Sequence, residues 1–273
     1  MSTYPIYQVD AFADTVFTGN PAAVVPLQTF LKSGTLQKIA LENNLSETAF
    51  VVRRPDGSYD LRWFTPVVEV DFCGHATLAT AHILLSELNE HSPLLFHTQI
   101  GPIEVTSNGA RYTMRTPAFP MTEMQLTPAL LAAFEHLPVA AWWSRKNVFL
   151  MFPAADIVAG FQPDFSIIKA LSSEPNIDDG VVIMAQGDGG NYQKYDFVSR
   201  YFVPAFGIDE DPVTGSTHAS MAPFWAKRLG KPQLTAYQAS QRGGVLELSV
   251  TDKHVLITGR AKTYMRGEIA VPG

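Results

Sequence analysis

The 273-residue sequence contains a single cysteine, Cys73. One thiol excludes an internal disulfide and any metal site built on a cysteine cluster. Runs of lysine or arginine are also missing. With a formal net charge of -6 and a pI near 5.6, nothing supplies the basic surface that a phosphate backbone requires. No window approaches the roughly 20 apolar residues that span a bilayer. Neither nucleic acid nor a membrane is therefore an expected partner. The start, Met1-Ser2-Thr3-Tyr4-Pro5, runs straight into Ile6-Tyr7-Gln8-Val9-Asp10 without the basic segment and apolar block of a signal peptide. Cytoplasmic residence is the expectation.

Cofactor and nucleophile motifs are equally scarce. Gly187-Asp188-Gly189-Gly190 follows a predicted strand, but no helical pattern with dinucleotide spacing comes after it. Gly215-Ser216-Thr217 lacks the lysine of a phosphate-binding loop, and no serine stands in a nucleophile elbow. His91, His97, His136 and His254 show no metal-ligand spacing, and His82 and His218 fall inside helical patterns as packing or hydrogen-bonding residues. Nucleotide, flavin and acyl-enzyme chemistry are disfavoured. The expectation is no cofactor and no metal.

What is present is apolar material: 46% of residues are hydrophobic and 17% charged, enough for one large core or two ordinary ones. Short alternating or β-branched segments dominate, at 6–12, 48–53, 59–64, 103–107, 111–115, 181–185, 194–202, 245–250 and 254–258. Asn108-Gly109 and Thr251-Asp252-Lys253 sit where hairpin turns belong. Helical patterns are fewer, at 36–43, 76–88, 128–136, 165–171 and 217–229. The second and last of these are alanine-rich and apolar over most of their circumference, which marks buried helices.

Similar text precedes those two helices. Arg62-Trp63-Phe64-Thr65-Pro66 leads to Glu69-Val70-Asp71-Phe72-Cys73-Gly74-His75-Ala76-Thr77. Arg200-Tyr201-Phe202-Val203-Pro204 leads to Asp209-Glu210-Asp211-Pro212-Val213-Thr214-Gly215-Ser216-Thr217. The Phe-x-Pro triplets lie 138 residues apart and the glycines 141, so the copies differ by three residues of loop. A duplicated unit of strand, acidic loop, glycine and buried helix predicts an α+β protein of two pseudo-symmetric domains. Each would be a mainly antiparallel, strand-rich half wrapped around one central helix, with the two glycine loops near a shared cleft. The division falls where Pro117 and Pro120 interrupt the pattern, giving domains 1–120 and 121–273. Whether the last segment returns to the first half is left open.

A glycine directly before a helix lets backbone approach a ligand, and the first-turn N–H groups with the helix dipole attract an anion. Gly74 and Gly215 can each serve merely as turn residues. Their recurrence favours a carboxylate site instead. Glu47, in Asn44-Leu45-Ser46-Glu47-Thr48-Ala49-Phe50, stands between a helix end and an apolar strand. An acid partly withdrawn from water there suits giving and taking a proton, although a solvated loop glutamate or a helix cap has the same sequence appearance. His75 lies on the first glycine loop and can hydrogen-bond substrate or relay a proton, or be structural. Asp211 opens the second loop, where an Asx turn or helix cap is the alternative.

Taken together, these stretches resemble the phenazine-biosynthesis PhzF-like isomerases, relatives of diaminopimelate epimerase and proline racemase. The resemblance rests on Asp10-Ala11-Phe12, Phe17-Thr18-Gly19-Asn20-Pro21-Ala22-Ala23-Val24, Asn44 to Phe50, Arg62 to Pro66, Cys73 to Thr77 and Asp211 to Ser216, in family order. It implies the two-barrel, diaminopimelate epimerase-like fold, Glu47 as general acid/base, His75, Asp211 and Ser216 as further polar site residues, and Gly74 and Gly215 as substrate-binding backbone. It also implies a homodimer that acts on a small carboxylate without a cofactor. The family archetype shifts a double bond in dihydro-hydroxyanthranilate.

The epimerase and racemase relatives work with two thiols on opposite faces of the substrate. Here Cys73 takes the first position and Thr214 the second, so counting excludes a two-thiol mechanism. The reading is a cofactor-independent isomerase moving a proton on a small, cyclic or unsaturated carboxylate through Glu47. Two alternatives are a non-catalytic small-molecule or protein-binding member of the same fold, and Cys73 acting as a lone base. Pro223, inside the second buried helix, is expected to kink it or break one of its hydrogen bonds.

Overall fold

A computed structural model describes residues 1–171, 177 and 180–272; the last residue of the expected second domain, Gly273, lies outside them. The chain divides into two compact units, one of Met1–Thr116 with Ile257–Gly273, the other of Pro117–Leu256.

The first unit contains β1 (Ser2–Ala11), β2 (Asn20–Leu27), α1 (Ser33–Asn43), β3 (Glu47–Arg53), β4 (Tyr59–Phe64), β5 (Glu69–Val70), α2 (Gly74–Ser86), β6 (Leu94–Thr98), β7 (Gly101–Asn108) and β8 (Arg111–Pro117). The second contains β9 (Thr122–Met124), α3 (Pro128–Ala132), β10 (Ala140–Ser144), β11 (Asn147–Met151), α4 (Ala155–Gly160), α5 (Phe165–Leu171), β12 (Gly180–Gln186), β13 (Phe197–Val203), β14 (Ile208–Asp211), α6 (Gly215–Leu229), β15 (Gln233–Gln238) and β16 (Gly244–Val250). A long last strand, β17 (His254–Val271), begins in the second unit and ends in the first.

In the first unit the pairing closes on itself. Strand β1 pairs antiparallel with β2, β2 parallel with β3, β3 antiparallel with β4, β4 parallel with β6, and β6 to β8 follow as antiparallel neighbours. Strand β17 then pairs with both β8 and β1, completing an eight-stranded barrel without an exposed edge. Helix α2 runs through it, with ten of its thirteen residues buried. Its buried hydroxyls are satisfied locally, Thr77 Oγ1 donating to Cys73 O at 2.6 Å and Thr80 Oγ1 to Ala76 O at 2.7 Å. Outside the barrel, α1 packs Leu36, Ile39 and Ala40 against Ala23, Val25 and Phe50.

Being covered on both faces is why β2 escapes a search for alternation: Ala22 to Val25 are all buried, and two prolines interrupt the strand. The second unit repeats the pairing order. Strands β9, β10 and β11 are antiparallel neighbours, β11 pairs parallel with β12, β12 antiparallel with β13, β13 parallel with β15, and β15 antiparallel with β16. Helices α3 to α5 cover one face with Leu130, Val158, Ile168 and Leu171. The helix expected at 128–136 ends at Ala132, and α4, with no matching expectation, is a further short helix.

Helix α6 continues through Pro223. Proline has no N–H to give to Ala219 O, one turn earlier. That carbonyl instead accepts from Phe119 N at 3.2 Å, so the group freed inside the helix is not left unsatisfied.

Candidate active site

Three local features deliver Glu47. Helix α1 ends in left-handed Asn44 (φ 48°, ψ 39°), whose N–H donates to Ala40 O, and the chain turns at once into β3, of which Glu47 is the first residue. Glu47 aligns with Ala22 of β2. Asn20, the first residue of β2, thus starts beside it. Gly19 before it has φ 67°, and a Cβ there would lie 2.1 Å from Ala11 O, so only glycine can make this entry. Asp10 Oδ2 accepts from Phe17 N at 2.7 Å and fixes the loop that leads to it.

Cys73 is the N-cap of α2, in extended conformation and making no side-chain cap. His75 lies in the first turn. Its Nε2 is 3.1 Å from Glu47 Oε2, its Nδ1 is 3.0 Å from Asn20 Nδ2, and Cys73 Sγ is 3.5 Å from the same Nδ1. The Glu47–His75 pair has ion-pair spacing but is off hydrogen-bond alignment, since Glu47 Oε2 has no hydrogen-bond partner among the described residues. With the Asn20 amide nitrogen facing Nδ1, that ring nitrogen must accept, so a neutral ring carries its proton on Nε2, toward Glu47. The His75 side chain is 3% exposed and that of Glu47 14%, so Glu47 is the more accessible of the two, although its Oε2, facing the ring, is buried.

In the second unit Thr214 is the N-cap of α6, again extended and again making no side-chain cap. Its hydroxyl donates to Asp211 Oδ2 in a very short contact and accepts from Gln238 Nε2 at 3.1 Å. Gln238, fully buried, also donates to Asp211 O and accepts from Thr214 N. Asp211 is buried and its carboxylate braces this turn. From Val213 to Ala222 every residue is buried except Ser216, which is half-exposed at the helix start next to Gly215. His218 Nδ1 donates to Thr214 O at 2.7 Å, and burial pushes its imidazole down to about 4.

The fold thus brings Glu47, Gly74 and His75 together in one unit, and Asp211, Gly215 and Ser216 together in the other. Cys73 and Thr214 occupy equivalent cap positions. Asn20 is a site residue that the sequence reading does not single out, although it lies in the motif Gly19-Asn20-Pro21. Gln238 carries no local signal, because its role arises from the β13–β15 pairing that sets it against the turn. The repeated arginines are structural: Arg62 gives two hydrogen bonds to Glu69, and Arg200 two to Glu210. Each also lies 5.1 Å from the ring two residues on, Phe64 or Phe202. Among the described residues no helix is long and apolar enough to cross a membrane.

The phenazine biosynthesis-like (PhzC-PhzF) family model matches residues 9–267. An uncharacterized isomerase of Pseudomonas aeruginosa is 47% identical over 265 residues, covering 97% of this chain and 98% of the relative. The crystal structure of a PhzF-family phenazine biosynthesis protein from Enterococcus faecalis superposes with a TM-score of 0.88 at 43% identity, covering 99% of this chain and 100% of that one. A probable proline racemase of Agrobacterium radiobacter, 11% identical with a TM-score of 0.64 and covering 98% of this chain and 93% of its own, shares the fold. The chain belongs to the phenazine biosynthesis-like, PhzC-PhzF family of isomerases.

Proposed function

We propose that this protein is a cofactor-independent isomerase that moves a proton on a small, cyclic or unsaturated carboxylate, with Glu47 as its general acid/base. The observation that carries the proposal is the position of Glu47 Oε2, 3.1 Å from the Nε2 of a buried histidine while its own side chain remains partly accessible. As a carboxylate Glu47 accepts a proton from a substrate carbon. As the acid it returns that proton to another carbon on the same face. His75, oriented by Asn20, holds its Nε2 3.1 Å from the carboxylate. Carboxylate binding is assigned to the helix starts at Gly74 and at Gly215-Ser216, neither of which is closed by its N-cap side chain. Asp211 acts by holding the Thr214-Gly215 turn in shape.

A one-base assignment also fits the cap residues. In the second sequence copy Thr214 takes the position that Cys73 holds in the first, and its hydroxyl is engaged by Asp211 and Gln238. The test is to incubate a panel of small unsaturated and cyclic carboxylates with the protein in deuterated water and follow carbon-bound deuterium by mass spectrometry. At least one is expected to gain deuterium with conversion to an isomer. A panel that binds saturably with no exchange would instead support a binding protein on this fold.

A further inference from the structure

We propose that Glu47, Cys73 and His75 form a capture site for a thiophilic divalent cation of the zinc type, which inhibits the enzyme by occupying its base. One donor atom from each residue lies within 4.8 Å of the others, and all three belong to the first unit. Cys73 Sγ and His75 Nδ1 are 3.5 Å apart. In a tetrahedral zinc site, with bonds of about 2.3 Å to sulfur and about 2.0 Å to nitrogen, one sulfur and one nitrogen ligand are separated by about 3.5 Å. One edge of the tetrahedron is therefore already in place. Glu47, whose Oε2 lies 3.1 Å from the other ring nitrogen, Nε2, must turn toward the Nδ1 side to join it, and a fourth position is left for water, as in open zinc sites.

The donor set selects the ion. A thiolate with an imidazole and a single carboxylate suits zinc or cobalt and is poor for magnesium or calcium, which prefer oxygen. On binding, the Cys73 S–H bond breaks, its proton leaves to solvent and a metal–sulfur bond forms. Thiolate and carboxylate together match the charge of the ion. That match has to outweigh two opposing effects, the positive end of the α2 dipole and displacement of the Asn20 amide from Nδ1. With both the base and its histidine engaged, isomerisation stops.

The site depends on the placement of three side chains and not on the catalytic role of Glu47. Because Cys73 is the only cysteine, a thiolate-to-cobalt charge-transfer band in the chelator-treated wild-type protein can arise from no other residue. Cobalt titration is expected to give that band, saturating at one ion per chain, and zinc is expected to abolish it. Cys73→Ser and His75→Gln should weaken zinc binding by about tenfold or more in calorimetry. No saturable band in the wild type, or unchanged zinc affinity in Cys73→Ser, would overturn the proposal. Either result leaves the assignment of Glu47 as base untouched, and loss of that assignment would leave the cobalt spectrum as it is.

Discussion

His75 and Asn20 form a buried pair, with the amide nitrogen of Asn20 3.0 Å from Nδ1 of the imidazole. This contact decides which ring nitrogen carries the proton and so what Glu47 faces. Replacing Asn20 by alanine leaves the tautomer unfixed. The expected result is a drop in kcat of about tenfold with little change in KM, smaller than the roughly 10²- to 10⁴-fold that loss of a general base costs. An unchanged kcat would remove Asn20 from the machinery.

Gln238 is the corresponding support in the second unit. Its three hydrogen bonds, to Thr214 N, Thr214 Oγ1 and Asp211 O, are buried. Gln238→Ala leaves those groups unpaired and should lower stability by about 3 kcal/mol in urea titration. Gln238→Glu keeps the acceptor for Thr214 N but loses the donor, and should be destabilised as well.

The duplicated arginine pairs offer an internal comparison. The Arg200 and Glu210 side chains are 9% and 16% exposed, those of Arg62 and Glu69 24% each. Removing the carboxylate from the more buried pair strands a charge in lower dielectric. Glu210→Gln is therefore expected to cost about 3 kcal/mol and Glu69→Gln about 1 kcal/mol. Equal losses from the two substitutions would contradict that account.

Burial holds His218 in the folded protein at about 4, against an ordinary value of 6.5. Below pH 6.5 the unfolded chain takes up a proton that the folded chain refuses, so stability falls as pH drops from 6.5 toward 4. Above 6.5 this contribution is flat. His82, also held down to about 4 by burial, adds to the same window. His218→Gln should shallow the acid limb of the stability profile without removing it, as measured by denaturant midpoints across about pH 4 to 7. A limb unchanged in slope would rule out His218 as a source.

Much of this protein is legible in its sequence. The 138- and 141-residue spacings disclose the duplication, and apolar character marks α2 as a buried helix; α6 is buried through its first half, while Lys227 and Arg228 in its last turn are exposed. Two strands that escape a sequence reading, β2 and β11, are covered on both faces or nearly so and lack the alternation that betrays a half-buried strand, whereas β6 and β15 escape it although they are half-buried. Within the candidate site, Glu47, His75 and Gly74 lie in compact motifs. Partners set by strand pairing, such as Gln238, have no local signature. Pro223 reads as a defect in the sequence, and its resolution lies in Phe119, more than a hundred residues away.

The central claim is that Glu47, not Cys73, moves the proton. Solvent deuterium exchange into a bound substrate should be compared in Glu47→Gln and Cys73→Ala. The account predicts a loss of at least about 10²-fold in Glu47→Gln with binding retained, and near-normal exchange in Cys73→Ala. Exchange at the wild-type rate in Glu47→Gln together with its loss in Cys73→Ala would contradict the account and make the thiol the base.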